Sequence, residues 1–153
     1  MAVRAESPYG AFNFLVKLGD SWDDAQLVGG FSDVSGLGNE IKYSEYRGGN
    51  DKDNHVRKVA NTNTTDDVTL KRGLIGDTRL FEWLTATREG RFEPRTVIIS
   101  LQDESRAGTI CRWKLEAAQP KKWVGPTLAG KGGGEVAMEE LQLVAESIVF
   151  TSP

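Results

Sequence analysis

The sequence predicts a mainly β domain of the sandwich or barrel kind, with one α-helix against one end. Three observations lead there. Five to seven short stretches either alternate apolar and polar residues at period two or run as β-branched blocks, the marks of half-buried and fully buried strands. Seventeen glycines fall between those stretches, where turns belong. Only one segment carries a capped apolar stripe at helical spacing. At 153 residues the chain has the size of one domain and can bury a core without disulfide or metal staples.

Residues 1–8 are polar, end in Ser7-Pro8, and read as a flexible lead-in to a single domain over residues 9–150. "AFNFLVKL" sets Phe12, Phe14, Val16 and Leu18 on one face as a first strand. "GDSWDD" turns, and "AQLVGGFSDV" reads as one second strand whose paired glycines mark a bulge or a close backbone approach. After "SGLG", the run "NEIKYSEYR" alternates again. Ile41 and Tyr43 point one way, and Glu40, Lys42 and Ser44 the other.

"RGGNDKDNHVRK" has almost nothing apolar. It is too polar for a core and long for a plain hairpin turn, so it reads as a loop that is either mobile or ordered by a partner. Val68 and Leu70 mark a further strand, which ends in Lys71-Arg72 before Gly73 and Gly76 turn the chain off the sheet. Asp77 is placed to cap a helix over residues 78–88 by accepting a bond from its free first-turn amides. Leu80, Phe81 and Leu84 supply that helix's apolar stripe, and Gly90 stops it.

"TVIISLQD" reads as a strand buried on both faces at its centre, and "TICRWKLEA" as one with Cys111, Trp113 and Leu115 inward. Pro120, Gly125 and Pro126 break the chain around Trp123. The tail "EVAMEELQLVAESIVF" is ambiguous. Its spacing and its Glu, Met, Leu and Ala content favour a helix, whereas a strand needs a bulge near Glu139–Glu140 to carry the inward set from Val136 and Met138 to Leu141 and Leu143.

Composition narrows the function classes. A net charge of −3 disfavours a nonspecific nucleic-acid binder. Cys111 is the only cysteine, so no internal disulfide forms. No stretch approaches the ~20 apolar residues of a membrane helix, and no apolar run near the start suits a signal peptide, so the expectation is a chain made and folded in the cytoplasm.

Catalytic groups are sparse. His55, the only histidine, sits in the charged loop, where solvation is the ordinary role, and no GxSxG elbow accompanies it. Cys111 reads as a small buried hydrophobe, and one Cys with one His makes no zinc cluster. The acid pairs Asp23-Asp24, Asp66-Asp67, Asp103-Glu104 and Glu139-Glu140 point to opposite faces wherever they lie in strands. "GPTLAGKG", Gly125 to Gly132, imitates a phosphate-cradling loop, but Gly132 stands where a metal-binding hydroxyl belongs, and three successive glycines oppose the helix that must follow. No cofactor, metal or catalytic residue is expected.

Taken in order, "SPYGAFNFLVKL", "VGGFSDVSGLGNEIKYSEYRGG", "NHVRK", "VTLKRGLIGDTRLFEWL", "ISLQDE", "RWKLEAAQPKKWVGP" and "GGGEVAMEELQLVAE" resemble the tail tube protein family of contractile phages and phage-tail-like injection particles, over roughly residues 8–146. That resemblance implies two antiparallel sheets packed as a barrel-like sandwich flanked by one helix, and a strand for "EVAMEELQLVAE". It implies a non-enzymatic wall subunit whose hexameric rings stack into a hollow tube inside a sheath, a conduit for effector or DNA cargo. The expected partners are further copies of the chain, the sheath protein, baseplate or spike and tube-terminating proteins, and the cargo. The particle is a phage tail or an injection device, extracellular after release in some versions.

With that expectation, Arg47, Asp51, Lys52, Asp53, His55, Arg57 and Lys58 of the charged loop, together with Lys71 and Arg72, become candidate inter-ring or inter-subunit contacts. Glu40, Lys42 and Ser44 become candidates for the lumen wall. The rival readings are a baseplate-proximal tube initiator of the same machine, a monomeric β-sandwich binding module, and a nucleotide hydrolase built on Gly125–Gly132.

Overall fold

The computed structural model describes residues 7–19, 26–27, 30–50, 55–106, 108–132 and 134–152. Its elements, in chain order, are β1 (Phe14–Leu18), β2 (Gln26–Leu27), β3 (Asp33–Ser35), β4 (Asn39–Tyr46), β5 (Arg57–Thr65), β6 (Val68–Gly73), α1 (Arg79–Arg88), β7 (Arg95–Gln102), β8 (Thr109–Val124), β9 (Met138–Val144) and β10 (Ser147–Thr151). All strand pairs are antiparallel. One sheet runs β2-β1-β7-β8-β9-β6-β3 with β10 added on β8, while β4 and β5 pair only with each other.

The long strand β8 folds this sheet over on itself. Its first half pairs with β7 and β10, its second half with β9. Between them the register against β7 steps from Val97↔Leu115 to Arg95↔Ala118, and Ala117 takes a left-handed φ of 51°. Such a bulge bends a strand and sharpens its twist. The two halves of the sheet then face each other across a core. Val16, Val97, Ile99 and Leu115 come from one side and Val68, Leu70, Leu141 and Leu143 from the other. Each such side chain contributes roughly 1.5–3 kcal/mol when fully withdrawn from water. The result is a sandwich. Among the described residues no strand joins β2 to β3, so the barrel is not closed.

β7 is buried on both faces from Val97 to Ser100, as its β-branched run predicts. The tail is a strand, as the family resemblance implies, and spacing misread it as a helix. The expected bulge is not in it. Glu139, Leu141 and Leu143 all point inward in unbroken alternation, so the inward set includes a charged residue in place of Met138. The irregularity lies instead on β8, between Pro120 and Lys122. Pro120 does not break that strand. In the second half of the sandwich β8 is an edge, where a missing N–H costs no ladder bond.

"AQLVGGFSDV" is not one strand either. It splits into β2 and β3, which lie at opposite ends of the sheet, and Phe31 packs against the core between them. Residues 28–29, where the glycine pair begins, and residues 1–6 of the lead-in lie outside the described residues, as does most of the expected "GDSWDD" turn.

Helix α1 covers one end of the sandwich at β8. Its buried face is Leu80, Trp83 and Ala86; Phe81 is exposed and Leu84 only half-buried, so the expected stripe was rotated. Trp83 sets the phase, because its indole Nε1 donates to the Glu93 carbonyl at 2.9 Å while the Arg95 guanidinium lies 5.1 Å from its ring centre. Asp77 Oδ1 accepts from the first-turn Arg79 amide at 3.1 Å as expected, but from one position before the N-cap, which is Thr78 and makes no side-chain capping bond. At the other end Gly90, at φ 88°, donates to the Thr87 carbonyl and the Arg91 amide reaches back to Ala86. That pair of bonds closes the helix in a Schellman turn.

Candidate assembly surfaces

Lys71 and Arg72 are neighbours on β6, and neighbours on a strand face opposite ways. Val68, Leu70 and Arg72 point into the sandwich, and Lys71 points out. Arg72 is 1% exposed. Its Nε donates to Glu139 Oε1, the side chain of its register partner on β9. Its Nη2 donates to the Asp77 carbonyl at 3.0 Å, its Nη1 lies 3.8 Å from Asp77 Oδ2, and the guanidinium sits 5.6 Å from the centre of the Phe31 ring. Trp123 Nε1 completes the cluster by donating to Glu139 Oε2 at 3.1 Å, and Phe81 stacks edge-on against Trp123 at 5.1 Å.

The Arg72 side chain is therefore engaged within its own subunit. It joins β6, β9, β8 and the start of α1 inside one subunit. Burying a charge is tolerable only with such complete pairing. The signal was present in the sequence: the period-two phase of "VTLKR" puts Arg72 on the Val68 side, and that of "EELQL" puts Glu139 on the Leu141 side. Lys71 stays at the surface, between Asp33 on β3 and Glu140 on β9 in a row of alternating charge. Neither Gly73 nor Gly76 takes a left-handed φ, so the turn off the sheet does not depend on glycine conformation.

The charged loop is shorter than its sequence suggests. Arg57 and Lys58 belong to β5, which continues through "VANTNTT" to Thr65 and forms a long hairpin with β4. Asp51, Lys52 and Asp53 lie outside the described residues. Arg47 and His55 are exposed at its tip, and Lys58 stands opposite Glu45 across the ladder.

Every residue of β4, and every residue of β5 except Thr65, is exposed. The hairpin keeps the predicted alternation. Glu40, Lys42 and Ser44 share one face, where Ser44 Oγ accepts from Asn61 Nδ2 at 2.9 Å. Ile41 and Tyr43 share the other, 50% and 59% exposed. A two-stranded ribbon with neither face covered is marginal in water, and here its apolar side is presented to solvent.

Nothing among the described residues forms a catalytic constellation. Among the described residues no group of three or more His, Cys, Asp or Glu could hold a metal. Burial pushes the Cys111 thiol upward, away from the reactive thiolate. After Gly125–Gly132 the chain enters β9 where a phosphate-cradling loop would open into a helix. Among the described residues no helix is long and apolar enough to cross a membrane.

Residues 10–149 match the family model described as T4-like virus tail tube protein gp19. No curated protein matches the chain. Among solved structures, the anti-feeding prophage tube terminating cap superposes with a TM-score of 0.83 at 23% identity, over 100% of this chain and 97% of that one. A chain of the PVC sheath-tube complex, an extracellular contractile injection system in its extended state, gives 0.81 at 24% identity over 97% and 94%. Hcp1 from Flavobacterium johnsoniae is more distant, at 0.57 and 14% identity over 92% and 95%.

Proposed function

Because the chain belongs to the T4-like virus tail tube protein family, we propose that it is the wall subunit of a tube inside a contractile sheath, six copies closing each ring and rings stacking around a hollow bore. The observation that carries this reading is the β4–β5 hairpin, long, paired along its length with one register shift between Ile41 and Tyr43, and bare on both faces. Such a ribbon gains from a neighbour what its own core does not give it. Residues 9–150 act as one tube domain, and the barrel that the lone subunit leaves open is completed by assembly. Such a subunit does no chemistry; it transmits the sheath's stroke to the tip and guides cargo, effector or DNA.

The polar face Glu40, Lys42 and Ser44 suits a hydrated lumen wall, since it mixes both signs of charge with a hydroxyl. Arg47, Asp51, Lys52, Asp53, His55, Arg57, Lys58 and Lys71 suit wet, repeated contacts between rings or subunits, where many weak copies act together. Sheath, baseplate and terminator are the partners suggested by the assemblies in which similar chains are found. Assembly takes place in the cytoplasm of the producing bacterium.

A second reading is a ring that starts or ends the tube, favoured by the equal likeness to the terminating cap. Negative-stain microscopy of purified protein tests both. Six-fold rings that lengthen into tubes are expected; rings that never stack indicate the initiator or cap, and dispersed monomers at high concentration contradict both.

A further inference from the structure

The sandwich is unsealed along the side where β1 and β3 lack a connection, and an apolar cavity of about 340 Å³ opens there. Phe14, Leu101 and Trp113 line it from one half of the sandwich, Val34 and Leu37 from the other, with Asp33 on the rim. Ser32 Oγ, donating toward Asp33 Oδ2 at 3.3 Å and the Lys71 carbonyl at 3.2 Å, ties that rim to β6. The same chain carries an apolar strand face with nothing on it, Ile41 and Tyr43 on the hairpin.

These two features do not meet within one subunit, since Ile41 and Tyr43 are exposed and neither lines the cavity. Only residues 36–38 separate β3 from β4, and they are clamped. Gly36 has φ 84°, and a Cβ there would lie 2.0 Å from the Asp67 carbonyl oxygen. The Gly38 amide donates to the Gly36 carbonyl at 2.8 Å, and the Asp66 amide to the Gly38 carbonyl at 3.0 Å. The base of the hairpin is thereby tied to the Asp66–Asp67 turn, next to the slot that Leu37 helps to line.

We propose that the slot is filled by the Ile41–Tyr43 face of a second copy, so that each subunit finishes the core of its neighbour. This rests on the ring reading above and adds the residues that make the contact. The chemistry matches. Ile41 is aliphatic, and the Tyr43 ring suits the aromatic wall of Phe14 and Trp113. Glu45 on the same face is opposed by Lys58 and brings no net charge. Because donor face and acceptor slot are different surfaces, the contact is heterologous and closes into a ring when its rotation closes.

The test uses full chains with Cys111→Ala, so that the native thiol is silent. Subunits carrying Leu37→Cys are mixed with differently tagged subunits carrying Tyr43→Cys, assembled, and treated with a short bis-maleimide. Cross-links between the two tags are expected. Replacing Tyr43→Cys by Glu40→Cys, on the opposite face of the same strand, should abolish them. Rings that form without the Leu37–Tyr43 cross-link, or that cross-link equally from position 40, overturn the proposal and leave the tube reading standing; an absence of rings overturns both. In parallel, Tyr43→Asp should raise the concentration needed for assembly about thirtyfold, as loss of one interface anchor does, with unfolding of the lone subunit unchanged. Unchanged assembly contradicts the proposal.

Discussion

Arg72 shows how much a single residue's phase decides. As one of two adjacent cations it invites a reading as a surface contact, yet on β6 it faces the Val68 side and meets Glu139 within the fold. Removing one partner of a buried pair strands the other, at a cost of about 3–5 kcal/mol, whereas replacing both by apolar residues of similar size is often neutral. Arg72→Ala is therefore expected to lower the stability of the subunit by that amount in denaturant titration, and Arg72→Met with Glu139→Leu to recover most of it. Lys71→Ala, one position away, should leave subunit stability within about 0.5 kcal/mol. Asp77 gives a pH signature at the same junction. Its hydrogen bonds to the Arg79 side chain and amide, the former the larger cause, lower its pKa from 3.8 to about 2. A carboxylate with a depressed folded pKa stabilises fully above its unfolded value and loses that contribution as pH falls through the folded one. The stability of the native subunit should thus fall between pH 4 and pH 2, and Asp77→Asn should flatten that part of the profile in thermal melts.

At the scale of elements, the helix and the core strands were legible because a buried face imposes a period. β7, with four successive buried residues, and the cap and stop of α1 follow directly from "TVIIS", Asp77 and Gly90. Trp83 reads from the sequence as a core or interface anchor but was left out of the helical stripe, because a stripe through Leu80, Phe81 and Leu84 looks equally apolar; only the indole's partner, the Glu93 carbonyl, fixes the rotation. Trp83→Ala should cost about 3–5 kcal/mol and release α1, read as lost helix protection in hydrogen exchange while β7 stays protected. β5 was invisible for the opposite reason. "RKVANTNTT" buries nothing in its own subunit, so no alternation of apolar residues marks it, and only its Val and Thr content hints at extended structure. The tail misled similarly, since reading Glu139 as a surface residue made the strand's phase look broken.

On the scale of the whole molecule, the sequence resemblance anticipated the family, the sandwich and the single flanking helix, but not where the subunit is incomplete. Those places are a hairpin outside the core and a slot between unjoined strands, and both require the three-dimensional arrangement to be seen. A wall built from such units gains stiffness from repeated backbone pairing and buried side chains, with no covalent links between copies. On the proposed contact, the subunit's own stability and its assembly should be alterable separately, through Arg72 and Trp83 for the first and Ile41 and Tyr43 for the second. Amide hydrogen exchange across Asn39–Tyr46 and Arg57–Thr65, compared between isolated subunits and assembled tubes, tests this most directly. The hairpin amides should exchange rapidly in the lone subunit and slow by at least an order of magnitude on assembly, roughly 1.4 kcal/mol of added protection, while β7 changes little. Hairpin protection already equal to that of β7 in the isolated subunit, and unaltered in the tube, would contradict it.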